Sequence, residues 1–126
     1  MEDMNILENL FEGMSVNYGV LLWVVAFFIV ADFVTGIMKA YKKDGRVNSS
    51  KLRDGGFKKS GIVFVIILGY VLSLLFSDEN FVIYHAVQAY YIYTELISIL
   101  ENLEELGVRL PKILENILGQ KTGDEK

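Results

Sequence analysis

A chain of 126 residues with 52% hydrophobic content, mean hydropathy +0.36 and a net charge of −4 is one domain's worth of sequence and more apolar than a soluble domain of that size. It contains no cysteine, which excludes disulfides, thiolate catalysis and cysteine-based metal sites. The placement of charge matters more than its sum, because Lys and Arg orient membrane segments strongly and acids only weakly.

The opening segment, MEDMNILENLFE, carries four acids and no base. That is the wrong sign for a secretory signal peptide, so the first apolar segment is expected to remain in the mature protein. Within residues 1–17, Leu7, Leu10, Phe11 and Met14 fall at i, i+3, i+4 and i+7 opposite Glu8 and Glu12. The spacing predicts a short amphipathic helix, resting on the outer membrane interface or against a neighbouring subunit.

Residues 18–38, YGVLLWVVAFFIVADFVTGIM, form a first predicted span of 21 residues, enough at 1.5 Å per residue to cross a hydrocarbon core of about 30 Å. Asp32, Thr35, Gly36 and Lys39 share one face of it. A carboxylate at that depth must pair, face a wet cavity or become protonated. One reading is a local network with Lys39 or a snorkel to the headgroups; the other is a protein-facing or pore-facing contact that helps subunits associate.

Residues 39–60 are a basic bridge, and the stretch from Asp32 to Gly61 holds eight of the twelve Lys and Arg residues against three acids. Lys42, Lys43, Arg46, Lys51, Arg53, Lys58 and Lys59 are expected at anionic lipid headgroups, at about 1 kcal/mol each near the surface, rather than on nucleic acid. Gly45, Gly55 and Gly56 suggest a flexible connection with room for a short interfacial helix between Ser49 and Arg53. GGFKKS lacks the Gly-Lys-Ser/Thr ending of a phosphate loop and has no strand before it.

The second predicted span, 61–77, is short, and Phe57 with snorkelling Lys58 and Lys59 is expected to complete it. Gly61, Gly69 and Ser73 lie on one face at multiples of four, a spacing that lets helix backbones approach closely. After a polar turn, residues 81–100 give a third span, with an interfacial helix as the alternative. His85, Gln88, Glu95, Ser98 and Asn102 make a polar stripe on it that cannot comfortably face lipid. Lining water and joining helices are equally good readings of that stripe. Residues 101–118 are amphipathic and are expected on the cytoplasmic side. Gly107 and Pro111 argue against one continuous helix, so one helix is predicted to end near Leu106 and another to start at Pro111. Residues 119–126 read as a disordered tail.

The expected fold is therefore an all-α integral membrane protein, a single domain with three transmembrane helices and amphipathic N- and C-terminal helices. With three spans, all twelve bases fall on one side, which predicts an outside N-terminus and a cytoplasmic C-terminus in a plasma membrane. No enzymatic signature, metal set or cofactor motif is found.

Three blocks in order, ADFVTGIMKA, NSSKLRDGGFKKSGIVFVIILGYVL and YIYTELISILENLEELGVRLPKIL, resemble the toxin-secretion and phage-lysis holins over roughly residues 25 to 118. The resemblance implies a small protein that self-associates in the bacterial plasma membrane and permeabilises it at a programmed time. Endolysin, or in some relatives a large toxin, then escapes without having to touch it. It also implies no catalytic residues. Asp32, Thr35, Gly36, Ser50, Gly56, Lys59, Glu95, Ser98, Glu101, Asn102, Gly107 and Pro111 match recurring positions, as structural or assembly residues. The chain departs from the pattern at Asp54-Gly55-Gly56, where a single glycine is expected. The competing readings are a small proton-coupled transporter using Glu95 or Asp32, for which no internal repeat is visible, and an antiholin or membrane scaffold.

Overall fold

The computed structural model describes Asn5 and residues 19–122, and among these every regular element is helical. The expected N-terminal amphipathic helix, Tyr18 and residues 123–126 lie outside the described residues; of the tail expected to be disordered from 119, the part up to Thr122 is instead the last turn of a helix. Four helices follow in order: α1 Gly19–Asp44, α2 Ser49–Leu75, α3 Val82–Glu105 and α4 Lys112–Thr122.

The ends of α1 and α2 correct the expectation of a flexible basic bridge. α1 continues through Lys42 and Lys43 to Asp44, and α2 begins at Ser49, so only residues 45–48 connect them. Two local devices account for this. Gly45 takes a left-handed φ of +74° while its N–H bonds the Tyr41 carbonyl at 2.7 Å, a helix stop that glycine adopts without steric cost. Asn48 then caps α2, its side chain accepting from the Ser50 N–H at 2.8 Å, which satisfies one of the four orphan donors of the first turn. Lys42 and Lys43 lie in the last turn of α1, where cations complement the helix dipole.

At 26 and 27 residues, α1 and α2 extend about 40 Å each, and both are apolar enough to cross a membrane. α3 is long enough, at 24 residues, but its polar stripe keeps it out of that set. Large apolar side chains line the outside of the bundle: Trp23 is 73% exposed, Phe64 72%, Leu75 70% and Phe76 70%. So many large apolar side chains open to the outside suit lipid rather than water.

α3 ends in a Schellman motif. Val108 N–H bonds Leu103 O and Gly107 N–H bonds Glu104 O, both at 3.0 Å, with Gly107 at φ +93°. Pro111 accepts from the N–H groups of Leu114 and Glu115 and so opens α4. Leu110 and Leu118 bury themselves against Ile97 and Leu100, folding α4 back along the second half of α3.

Directions follow from the contacts. Asp32 of α1 meets Asn102, Lys39 meets Glu105 and Lys42 meets Leu106, so α1 and α3 run parallel. α2 runs against both, with Gly55 beside Phe33 of α1, Gly69 beside Val87 and Ser73 beside Tyr84 of α3. Val25, Ile66 and Tyr84, one from each helix, form the apolar centre.

Candidate functional site: a buried ion cluster and a polar stripe

Lys59 is the junction of the three helices. Its Nζ donates to Asp32 Oδ2 of α1 and to Glu95 Oε1 of α3, each at 2.5 Å, and the side chains of all three are at most 17% exposed. This corrects the expectation that Lys59 snorkels to lipid headgroups. An ammonium beside two carboxylates that are themselves costly in a dry environment is better placed there than at the surface, because removing it would leave both acids unpaired. It also corrects the local pairing of Asp32 with Lys39, which instead faces Glu105 at 3.7 Å near the surface.

The other oxygen of Asp32 is also held. Asn102 Nδ2 donates to Asp32 Oδ1 at 3.1 Å and to Thr35 Oγ1 at 2.9 Å, while the Thr35 hydroxyl donates to Ala31 O at 2.8 Å. Ser98, half-buried on the same face of α3, lies beside Asp32. Asp32, Thr35, Glu95, Ser98 and Asn102, all taken from the sequence as candidates, are thus brought together. A buried polar network is stabilising when every member is satisfied, and this one joins α1 to α3 mainly through Asn102 and α2 to both through Lys59.

Other candidates sit elsewhere. Gly36 faces Asn102, but a Cβ there would meet it at an ordinary 3.8 Å, so glycine is not required for the approach. Gln88 is fully buried two turns before Glu95; its amide lies near the Tyr84 hydroxyl without a well-formed hydrogen bond. His85 packs beside the Tyr84 ring, 5.9 Å between centroids, away from the cluster. Gly69 is a true close-approach site, since a Cβ would lie 3.1 Å from Val87 Cγ2. Gly61 is not: it is exposed and nothing lies within 4 Å, because it falls on the outer side of α2. Lys43, Arg46, Lys51, Arg53 and Lys58 are exposed at the basic end of the bundle. Lys42 is exposed too, yet its Nζ caps α3 by donating to Leu106 O at 2.9 Å.

A second polar knot, missed in the sequence, closes the opposite end. Asp78 Oδ2 accepts from the Ile83 N–H at 2.8 Å and from the Ser73 hydroxyl at 3.1 Å, and Ser73 Oγ accepts from the Tyr84 N–H at 3.1 Å. Together they cap α3. The Ile83 N–H, with help from Ser73, holds the Asp78 carboxyl below the ordinary range. The available signal was an acid four residues before the apolar-periodic run of α3, next to a serine; it reads as a turn until the fold sets Ser73 against Tyr84.

Comparisons with known proteins agree with this picture. The bacteriophage holin family matches residues 4–122. An uncharacterized protein of Listeria innocua is 33% identical over 109 residues, 84% of this chain and 76% of that protein. An uncharacterized 14.9 kDa protein of Clostridium perfringens is 36% identical over 94 residues, 74% of this chain and 70% of its own length. A probable holin of Bacillus phage phi105 is 30% identical over 90 residues, covering 71% of this chain and 64% of that protein. No solved structure matches. A lipid-suited exterior, a buried polar interior and a family match over nearly the whole length lead to one conclusion: this chain belongs to the bacteriophage holin family.

Proposed function

We propose that this protein accumulates in the bacterial plasma membrane, self-associates and permeabilises it at a timed point, releasing endolysin for host lysis or, in a related setting, a large toxin. Holins are not a class of enzymes, and the work here is mechanical. The observation that carries the reading is the contrast between an apolar exterior and a stored polar interior: Asp32, Gln88, Glu95 and Asn102 are all buried inside a unit whose outer surface suits lipid. A membrane protein with polar surface in reserve has the means to line an aqueous lesion once copies associate.

The same reading takes α3 as a third span. It lies parallel to α1 and against α2, so if those two cross the bilayer α3 occupies the same slab, its polar face shielded by its neighbours. Three crossings put the N-terminus outside and the basic α1–α2 turn in the cytoplasm, where Lys43, Arg46, Lys51, Arg53 and Lys58 meet anionic lipid. Association among identical copies makes opening concentration-dependent, since oligomers rise steeply with monomer by mass action.

The test is induced expression in a bacterium, following membrane potential and release of a cytoplasmic enzyme. Delayed, abrupt depolarisation with enzyme release is the expected outcome. Slow growth with the potential intact refutes the reading.

A further inference from the structure

α2 is the least attached of the three long helices. It buries Ile66, Gly69 and Ser73, as few residues as α1 buries, while Phe57, Phe64, Leu74 and Leu75 are open to the outside; what sets it apart is where it is held. It touches α1 sparingly, at Phe33 beside Gly55 and at Asp32 beside Lys59. By contrast α1 and α3 hold each other directly, through Asn102 to Asp32 and Thr35, Lys42 to Leu106 and Lys39 to Glu105. None of those bonds needs α2. Both joints of α2 are short turns through left-handed backbone, at Gly45 on one side and at Ser77 (φ +52°) and Phe81 (φ +51°) on the other. For serine and phenylalanine that conformation is held by its surroundings rather than preferred.

We propose that Lys59 is a latch, and that α2 swings away from the α1–α3 pair when it releases, uncovering Asp32 and Glu95 to the water of the hole. In the closed monomer the ammonium covers both carboxylates, so the polar surface that a hole needs is hidden beneath a helix that is apolar on its outer face. Opening requires no unfolding: α1 and α3 keep their own clasp, and α2 keeps its internal hydrogen bonds. This goes deeper into the hole-forming reading and rests on it only for the last step, the exposure to hole water.

The chain has no cysteine, which makes a staple clean. A Cβ at Gly69 lies 3.3 Å from Val87 Cβ, within a few tenths of the 3.5–4.5 Å that a disulfide spans. Gly69→Cys with Val87→Cys therefore ties α2 to α3. Two readouts are taken on the full chain in dye-loaded vesicles of phosphatidylethanolamine and phosphatidylglycerol. The first is the yield of the intramolecular disulfide, judged by resistance to thiol alkylation. It is expected to be high, to fall several-fold when Lys59→Met is added and to persist with Lys59→Arg, which keeps the charge; a yield indifferent to Lys59→Met overturns the latch. The second is dye release, expected to stop in the oxidised double variant and to return on reduction, with each single cysteine variant unaffected by oxidant. Release from the stapled protein at the wild-type rate overturns the swing. Wild-type protein that releases no dye refutes the hole-forming reading instead, and the disulfide yield still decides the latch.

Discussion

The two polar knots of this bundle sit at opposite ends of α2 and are built on different principles. At the Ser73–Asp78 end the partners are near in sequence: Ser73, Asp78, Ile83 and Tyr84 tie a turn and cap a helix. At the Lys59 end the partners are 27 and 36 residues away, and they tie three helices. A local knot of one carboxylate, a hydroxyl and backbone N–H groups defines where a helix starts; a long-range knot of opposite charges defines which helices lie side by side. A swing of α2 would break the long-range knot outright and would also part Ser73 from the Tyr84 N–H, leaving of the local knot only the Asp78 cap on α3.

The largest effect is expected from Lys59→Met, which strands two buried carboxylates. It should destabilise the detergent-solubilised protein by about 3–5 kcal/mol, measured by denaturant unfolding, with Lys59→Arg recovering most of the loss. A loss below about 1 kcal/mol would show that the cluster is not a tertiary bond and would collapse the contrast between the knots.

Ser73→Val comes next. Ser73 is 1% exposed and its hydroxyl serves Asp78 and the Tyr84 N–H at once, so its removal leaves a buried donor unmet, at about 1–3 kcal/mol. The damage should appear as faster hydrogen exchange in the first turn of α3 and leave Asp32 and Asn102 unaffected.

Two glycines of α2 sharpen the comparison further. Gly69→Ala forces a methyl against Val87 and should cost about 1–3 kcal/mol. Gly61→Ala meets nothing and should be neutral or stabilise by up to about 1 kcal/mol through helix propensity. Equal thermal midpoints for the two variants would contradict the packing of α2 on α3.

The smallest effect is one of pH. The folded-state pKa of Asp78 is depressed, first by the Ile83 N–H, so its contribution is present above the ordinary carboxylate range and is lost as pH falls through the lowered value. Thermal unfolding of wild type and Asp78→Asn at falling pH should converge in acid and differ near neutrality; a constant difference would show that the cap does not depend on charge.

Much of the local structure was legible. The apolar runs of α1 and α2 announce themselves by length, the Gly107 and Pro111 pair marks where α3 must stop, and Asp32, Glu95, Ser98 and Asn102 stand out as polar groups in apolar segments. The basic connection misled, because its glycines suggested flexibility while the Asn48 cap starts α2 at Ser49 and Lys51, Leu52 and Arg53 carry it on. Lys59 misled for a different reason. Spacing alone does not distinguish it within a run of bases; the holin resemblance marked Lys59 as an assembly position, yet the charge pattern placed it with the headgroup lysines, and only the inward turn of its helix face separates the two readings.

By itself the sequence determined that this is an all-helical membrane protein and where charge must be satisfied, because the cost of polar groups in an apolar medium depends on residue type and segment alone. Only the tertiary structure decided the answer to that demand. Whether Asp32 meets Lys39 on its own helix or Lys59 on the next depends on the parallel pairing of α1 with α3, made through Asn102, Lys42 and Lys39, and on the seating of α2 against α3 at Gly69, Ser73 and Tyr84. Such contacts join residues far apart along the chain, and no periodicity within one helix encodes them.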